Sequence, residues 1–247
     1  MRQFHIRAEA VSGDHVTFDA EETRHLARVL RLRPGAVVQT VDGRGHALVV
    51  RLTRIGARAA EGEVITREVR SSESPLELTL VQAIPKGEKL ESIIRMATEL
   101  GVRRIVPVIS ERTVVRVEPA RRSTRLARWQ RVAKEAAKQS GRPVIPDVQA
   151  PVALVAWLAE PRPPGLCLCL WERADTPAAA VLPEGPIERA SLVVGPEGGF
   201  TDAEAHGLLS AGAIVAGLGP RILRTETAGP VGLALLQARY GDLGARR

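Results

Sequence analysis

Apolar and polar positions follow two rhythms along the chain, one before and one after about residue 75. In the first part, short apolar or alternating runs at 37–40, 47–52 and 62–65 read as β-strands. Gly and Asp residues separate them, and Asp42-Gly43-Arg44-Gly45 has the composition of a hairpin turn. One stretch, 21–32, fits a helix stopped by Arg33-Pro34-Gly35. Several strands in so short a length predict a small barrel over residues 1–70. The polar run Arg70-Ser71-Ser72-Glu73-Ser74-Pro75 reads as a turn, with 71–75 as the linker.

From residue 76 strands and helices alternate. Strands are predicted at 76–83, 103–109, 166–170, 191–194 and 213–218, and helices at 88–100, 123–139 and 152–159. Leu90, Ile93, Ile94, Ala97 and Leu100 share one helical face, and Gly101 stands where a helix C-terminus needs a left-handed residue. Thr201-Asp202-Ala203-Glu204 is a capping box opening a further helix that Gly212 ends. A last helix starts near Glu226 or Pro230 and runs to Tyr240; proline suits only its first turn. This alternation predicts an α/β domain over 76–247 with a mainly parallel sheet.

Composition narrows the class. The chain has 247 residues, 45% of them hydrophobic, enough for a full core. Its two cysteines, Cys167 and Cys169, cannot frame a disulfide scaffold or a zinc site, and no cluster of His, Cys and Asp suggests a metal. The N-terminal MRQFHIRAEA lacks a signal peptide's apolar stretch, and no run reaches the roughly 20 apolar residues of a membrane span. A soluble cytoplasmic protein with no membrane partner is the expectation.

Charge changes the picture more. The formal net charge is +7, with 35 basic residues of which only four are Lys. Residues 1–70 carry a net +3, residues 71–150 a net +6 and residues 151–247 a net −2. On the helix at 123–139, Trp129, Ala133, Ala136 and Ala137 fall on one side with Leu126, and Arg128, Arg131, Lys134 and Lys138 on the other. The cationic row is either a solvated face or a track for a phosphate backbone, which supplies affinity without sequence readout. Aromatic residues are 3% of the chain, too few for a base-stacking platform.

The chemistry concentrates near the C-terminus. Strand 191–194 runs into Gly195-Pro196-Glu197-Gly198-Gly199-Phe200, and strand 213–218 into Gly219-Pro220-Arg221-Ile222-Leu223-Arg224-Thr225-Glu226-Thr227-Ala228. Strand 166–170 ends at Trp171-Glu172. Glycine-rich turns at the carboxyl ends of parallel strands are where α/β proteins bind small molecules, although plain turns look the same in sequence. The loops match neither the dinucleotide fingerprint nor the P-loop. Glu197 and Glu226 are acids at strand ends; Arg221 and Arg224 either brace Glu226 locally or serve to hold developing negative charge.

These loops, together with Pro85-Lys86-Gly87, Ala97-Thr98-Glu99-Leu100-Gly101-Val102, Ser110-Glu111-Arg112-Thr113 and the segment Glu135-Ala136-Ala137-Lys138-Gln139-Ser140-Gly141-Arg142, occur in the order found in the bacterial 16S ribosomal RNA uridine-N3 methyltransferases. The chain resembles that family, a member of the SPOUT superfamily. Phe4, His25, the run Val29-Leu30-Arg31-Leu32-Arg33-Pro34-Gly35 and Asp42-Gly43 resemble its PUA-like β-barrel. One departure is Met96, where the family pattern has Lys.

The resemblance implies a PUA-like barrel followed by a parallel-sheet domain with a deep C-terminal trefoil knot. It implies a homodimer with S-adenosylmethionine sites at the interface, and methylation of N3 of one uridine in the 16S rRNA of the small subunit. The cofactor would lie against Leu170, Trp171, Glu172, Val194, Gly195, Pro196, Glu197, Gly198, Leu218, Gly219, Ile222, Leu223 and Arg224. Arg224, then Arg221, would stabilise the uridine anion. Glu197 or Glu226 would serve as base if a dry loop raised its pKa, and water would serve otherwise. The implied RNA surface comprises Arg2, Arg24, His25, Arg28, Arg31 and Arg33 in the barrel. Beyond it come Lys86, Arg112, Arg128, Arg131, Lys134, Lys138 and Arg142. A ribose 2′-O-methyltransferase of the same superfamily and a non-catalytic ribosome-assembly factor are the alternatives.

Overall fold

The computed structural model describes residues 3–6, 8–42, 46–69, 73–115, 119–161 and 163–244. It divides into two compact units, residues 1–73 with 137–145 and residues 74–136 with 146–247.

The first unit opens with β1 (Gln3–His5), a 3-10 turn (Ala8–Ala10), β2 (Val11–Ser12) and β3 (His15–Phe18). Then come α1 (Ala20–Arg24), a π turn (His25–Val29), β4 (Val37–Val41), β5 (His46–Ile55) and β6 (Ala60–Val69). The sheet order is β1-β4-β5-β6-β3-β2, with only the β1–β4 pair parallel. Laid flat, six strands would hold β1 and β2 about 24 Å apart, at ~4.8 Å per step. Only residues 6–10 join them, partly wound in the 3-10 turn, and such a link reaches at most about 22 Å when fully extended. The sheet therefore curls, helped by register shifts in the β5–β6 ladder. It closes on a core that includes Phe4, Phe18, Leu26, Leu48, Val50 and Leu52.

Two sequence expectations change here. The helix predicted over 21–32 ends as α1 at Arg24, passes into the π turn, and is followed by Arg31 at φ 52°, which redirects the chain ahead of Pro34. The turn residues Gly43-Arg44-Gly45 lie outside the described residues, but on either side the Asp42 N–H donates to the His46 carbonyl and the His46 N–H to Asp42 Oδ1. The second difference is that residues 137–145 belong to the first unit, whereas the sequence runs 76–247 as one domain. Two buried ion pairs account for it. Lys138 Nζ lies 2.5 Å from the carboxylate of Glu22, which is 1% exposed, and Arg142 lies 2.5 Å from Glu73.

The second unit begins with β7 (Glu77–Ala83), α2 (Lys89–Glu99), β8 (Arg104–Ile109) and α3 (Pro119–Ser140). It continues with β9 (Asp147–Val148), β10 (Val152–Ala153), α4 (Leu154–Ala159), β11 (Leu166–Leu170), α5 (Ala178–Val181) and β12 (Arg189–Val194). The last elements are α6 (Asp202–Ser210), β13 (Ile214–Ala216) and α7 (Thr225–Tyr240). All strand pairs are parallel, in the order β10-β8-β7-β12-β11-β13 with β9 beside β8. Val81, Val106, Val193, Phe200, Leu208 and Trp157 are among the buried core. The capping box of α6 forms as its sequence requires. The expected helix at 152–159 splits, because Val152–Ala153 pair with Val108–Ile109 before α4 starts.

From β13 at the edge of the sheet the chain crosses back, and α7 packs on α2, β12 and β7. Gly232 permits this closeness: a Cβ there would stand 2.8 Å from Leu192 Cδ2 and 2.9 Å from Leu170 Cδ1. Farther along, the buried Gln237 accepts a hydrogen bond from Ser74 Oγ at 2.7 Å and donates to the Leu100 carbonyl at 2.8 Å. Pro230 falls in the second turn of α7, not the first, and removes the N–H that would bond the Glu226 carbonyl. Because α7 is seated by contact rather than by local pattern, Gly232→Val should lower stability by roughly 1–3 kcal/mol in a denaturant titration. Gly232→Ala should cost less, since alanine regains about 1 kcal/mol of helix propensity.

Candidate active site

A cavity of about 890 Å³ opens in the second unit at the carboxyl ends of β11, β12 and β13 and the first turn of α7. That is the size and position of a ligand site in a parallel α/β sheet. The loop after β11 supplies Leu170, Trp171 and Glu172; the loop after β12 supplies Val194, Gly195, Pro196, Glu197 and Gly198. The loop after β13 supplies Leu218, Gly219, Arg221, Ile222, Leu223 and Arg224, and Glu226 follows on α7. Every pocket residue singled out in the sequence thus faces one cavity. Gly199 and Thr225, from the loops already singled out, line it too, as do Lys89 and Asp175, which were missed.

Hydrogen bonds between distant segments hold the three loops. Thr225 Oγ1 donates to the Gly195 carbonyl at 2.6 Å and accepts from Gln82 Nε2 at 2.9 Å; both side chains are buried. This joins the end of β12 to the start of α7. Arg112 Nη1 donates to the Gly198 carbonyl at 2.8 Å and the Phe200 carbonyl at 3.4 Å, and Trp171 Nε1 also reaches Phe200 at 3.4 Å. Gly199 has φ 67°, and a Cβ there would run into the Glu172 carboxylate. The loop after β11 also clasps the end of β13. The Trp171 N–H donates to the Ala216 carbonyl and the Gly217 N–H to the Thr176 carbonyl, while Gly217 accepts from the Ala178 N–H.

The electrostatics turn on one lysine. Lys89 Nζ lies 3.0 Å from Glu197 Oε1 and 3.4 Å from Glu226 Oε2. The Lys86 N–H also donates to Glu197 Oε1, at 3.0 Å. Burial alone would push the Glu197 carboxyl up, but its own backbone N–H, the Lys89 ammonium and the Lys86 N–H outweigh it and hold it below the usual carboxylate range. That is opposite to the raised value that the sequence reading asked of Glu197 as a base. The local brace between Glu226 and Arg221 or Arg224 does not form. Among the described residues neither arginine has an ion-pair or hydrogen-bond partner, so both guanidinium groups remain available at the cavity wall.

Comparison with known proteins decides the family. The RNA methyltransferase domain family matches residues 72–237, and an RNA methyltransferase PUA domain matches residues 18–65. A ribosomal RNA small subunit methyltransferase E from Synechocystis is 35% identical over 236 residues, covering 94% of this chain and 76% of the relative. The chain belongs to the ribosomal RNA small subunit methyltransferase E family. The enzyme of that name from Neisseria gonorrhoeae, solved bound to S-adenosyl methionine, superposes with a TM-score of 0.86 at 36% identity over 98% of this chain and 99% of that one. A methyltransferase from Legionella pneumophila, solved with bound cofactor SAM, gives a TM-score of 0.86 at 30% identity, covering 98% of each chain. The two units are accordingly the PUA-like domain and the parallel-sheet SPOUT methyltransferase domain of this family. The cofactor of the family is S-adenosylmethionine, and the cavity fits it in volume, with Leu170, Leu218, Ile222 and Leu223 as apolar wall and backbone groups of two Gly-rich loops exposed to it.

The residues expected to meet RNA differ in their surroundings. Arg28, Arg31, Arg33, Lys86 and Arg131 are exposed. Arg24 is exposed as well and bonds the Ala20 carbonyl of its own helix. His25 is half-buried, 5.4 Å from the Phe4 ring, and Lys134 is half-buried on α3. Four others are bound within the fold. Arg128 forks between Glu88 and Glu91, Lys138 is paired with Glu22, Arg142 with Glu73, and Arg112 holds the loop after β12. The cationic row along α3 is therefore interrupted, because Lys138 in its last turn is taken up by a carboxylate inside the first unit. Arg2 lies outside the described residues. Burial pushes the Cys169 thiol up, as an unreactive core cysteine requires. Among the described residues no group of His, Cys, Asp and Glu could hold a metal, and no helix is long and apolar enough to cross a membrane.

A depressed carboxyl adds stability that is fully present above its unfolded pKa, ~4.3, and is lost as pH falls through the lower folded value. The stability gap between wild type and Glu197→Gln should therefore stay constant from neutral pH to about pH 5 and close below it, as read by denaturant midpoints across that range.

Proposed function

We propose that this chain transfers the methyl group of S-adenosylmethionine to N3 of one uridine in 16S rRNA, acting on the small ribosomal subunit as a cytoplasmic homodimer. The observation that carries this reading is the convergence of three strand-end loops on one cavity that two unpaired arginines face. The names of the relatives, which act on small-subunit ribosomal RNA, point to the same substrate class.

When bound, the cofactor supplies an electrophilic methyl on a sulfonium. The chain must then make N3 of uridine nucleophilic. N3 is a weak acid, and losing its proton spreads negative charge onto O2 and O4. Arg224 stands at the start of α7, its carbonyl accepting from the Thr227 and Ala228 N–H groups at 2.8 Å, so its backbone is fixed while its guanidinium is unengaged. A donor held this way stabilises charge that develops only in the transition state. Glu197, its pKa held down by its own backbone N–H, the Lys89 ammonium and the Lys86 N–H, is the weaker base of the two acids. Glu226, 3.4 Å from the same ammonium, and water are the other acceptors for the proton. The homodimer is supported by Ile222, which lines the cavity yet is 82% exposed, as a wall left for a second copy to cover would be. The clasp between residues 171–178 and Gly217 is the place where we would tie the knot of the fold.

Arg224→Ala should lower turnover by about 10²–10³-fold while cofactor binding stays within a few-fold. The check is methyl incorporation into small subunits that lack the modification, followed by digestion to nucleosides. Recovery of N3-methyluridine supports the reading. A methyl on the ribose would assign the chain to 2′-O chemistry, and no incorporation at all would leave a non-catalytic assembly factor.

A further inference from the structure

Lys89 has a position that its own helix does not explain. It is the first residue of α2, where the aligned peptide dipoles disfavour a cation by about 0.3–1 kcal/mol. Glu88 before it provides no side-chain cap to that helix. The ammonium turns away from its helix toward two carboxylates that sit 108 and 137 residues later in the chain. Glu197 belongs to the loop after β12 and Glu226 to the first turn of α7. Both carboxylates line the cavity, as does Lys89, the one contribution α2 makes to its wall.

Without the lysine, two ionised carboxylates would stand close together at the cavity wall in a partly desolvated setting, where like charges repel strongly. The loop after β12 and the start of α7 would be pushed apart. The hydrogen bond from Thr225 to Gly195, which joins the same two elements, would have to resist that force.

We propose that Lys89 is a positioning residue for methyl transfer: by bridging Glu197 and Glu226 it presets the two walls between which the cofactor is bound. This rests on the cavity being the cofactor site. Lys89 touches neither the uridine nor the methyl; it acts through the two carboxylates. The bridge leaves the cavity's Glu–Lys–Glu cluster with one net negative charge, which favours a sulfonium cation over the neutral thioether formed when the methyl leaves. The other ionisable groups lining the cavity are Glu172, Asp175, Arg221 and Arg224.

The test compares wild type, Lys89→Arg, Lys89→Met and the double variant Lys89→Met with Glu197→Gln in the full chain. Calorimetric titration with S-adenosylmethionine is run between pH 8 and pH 5 beside steady-state kinetics on small subunits. Lys89→Met should weaken cofactor binding at least tenfold at pH 8 and raise the cofactor KM to match, with kcat at saturation changed less than threefold. Lys89→Arg should stay near wild type. The Lys89→Met defect should shrink toward pH 5, as protonation of one carboxylate removes the repulsion, and the double variant should recover much of the lost affinity at pH 8. A defect that is independent of pH and unrelieved by Glu197→Gln would overturn the proposal, as would wild-type affinity in Lys89→Met. Failure of the wild type itself to bind S-adenosylmethionine would instead remove the cofactor reading, and the proposal with it.

Discussion

One hydroxyl joins the parts on which the site depends. Thr225 Oγ1 gives its proton to the carbonyl at the end of β12 and takes one from Gln82 in the middle of the sheet. Both partners are buried, so neither can trade this bond for one with water, and losing it strands polar groups at a cost of roughly 1–3 kcal/mol. The bond fixes where α7 begins relative to the Gly195–Phe200 turn. Arg224 is the residue immediately before that beginning. The placement of its backbone is thus set by a contact thirty residues away from Thr225 in sequence, not by local helix geometry.

The remaining supports act on the same seam. Gly232 lets α7 approach the side chains of Leu170 and Leu192, and Gln237 ties the far end of the helix to Ser74 and Leu100. Arg112 and Trp171 hold the turn after β12 from the other side. A helix clamped at both ends and along its face presents its first turn as a rigid rim. That rigidity suits a site whose chemistry consists of aligning a methyl with a nitrogen and supporting the charge that results.

Local signals made much of this visible before the structure. Thr201 with Glu204 announced the start of α6, Gly101 and Gly212 marked turns that need positive φ, and the glycine-rich strand ends marked the cavity. What stayed hidden was long-range. Nothing near Lys89 in sequence shows that it meets Glu197 and Glu226. Nothing in the cationic row of α3 shows that Lys138 meets a buried Glu22 and so belongs to the PUA-like unit. Periodicity places side chains on faces; it does not say which distant carboxylate will arrive there. The π turn at His25–Val29 escaped for a related reason, since the turn at Arg31 overrides a pattern that would otherwise have stayed helical to residue 32.

The most direct test of the central claim is a calorimetric comparison of S-adenosylmethionine binding by wild type, Thr225→Ser and Thr225→Val. If the hydroxyl sets the cavity, serine should bind within a few-fold of wild type, and valine, nearly the same shape without the donor, should bind at least tenfold more weakly. Equal binding by the valine variant would contradict the account, because the cavity would then be holding its form without the bond that is said to build it.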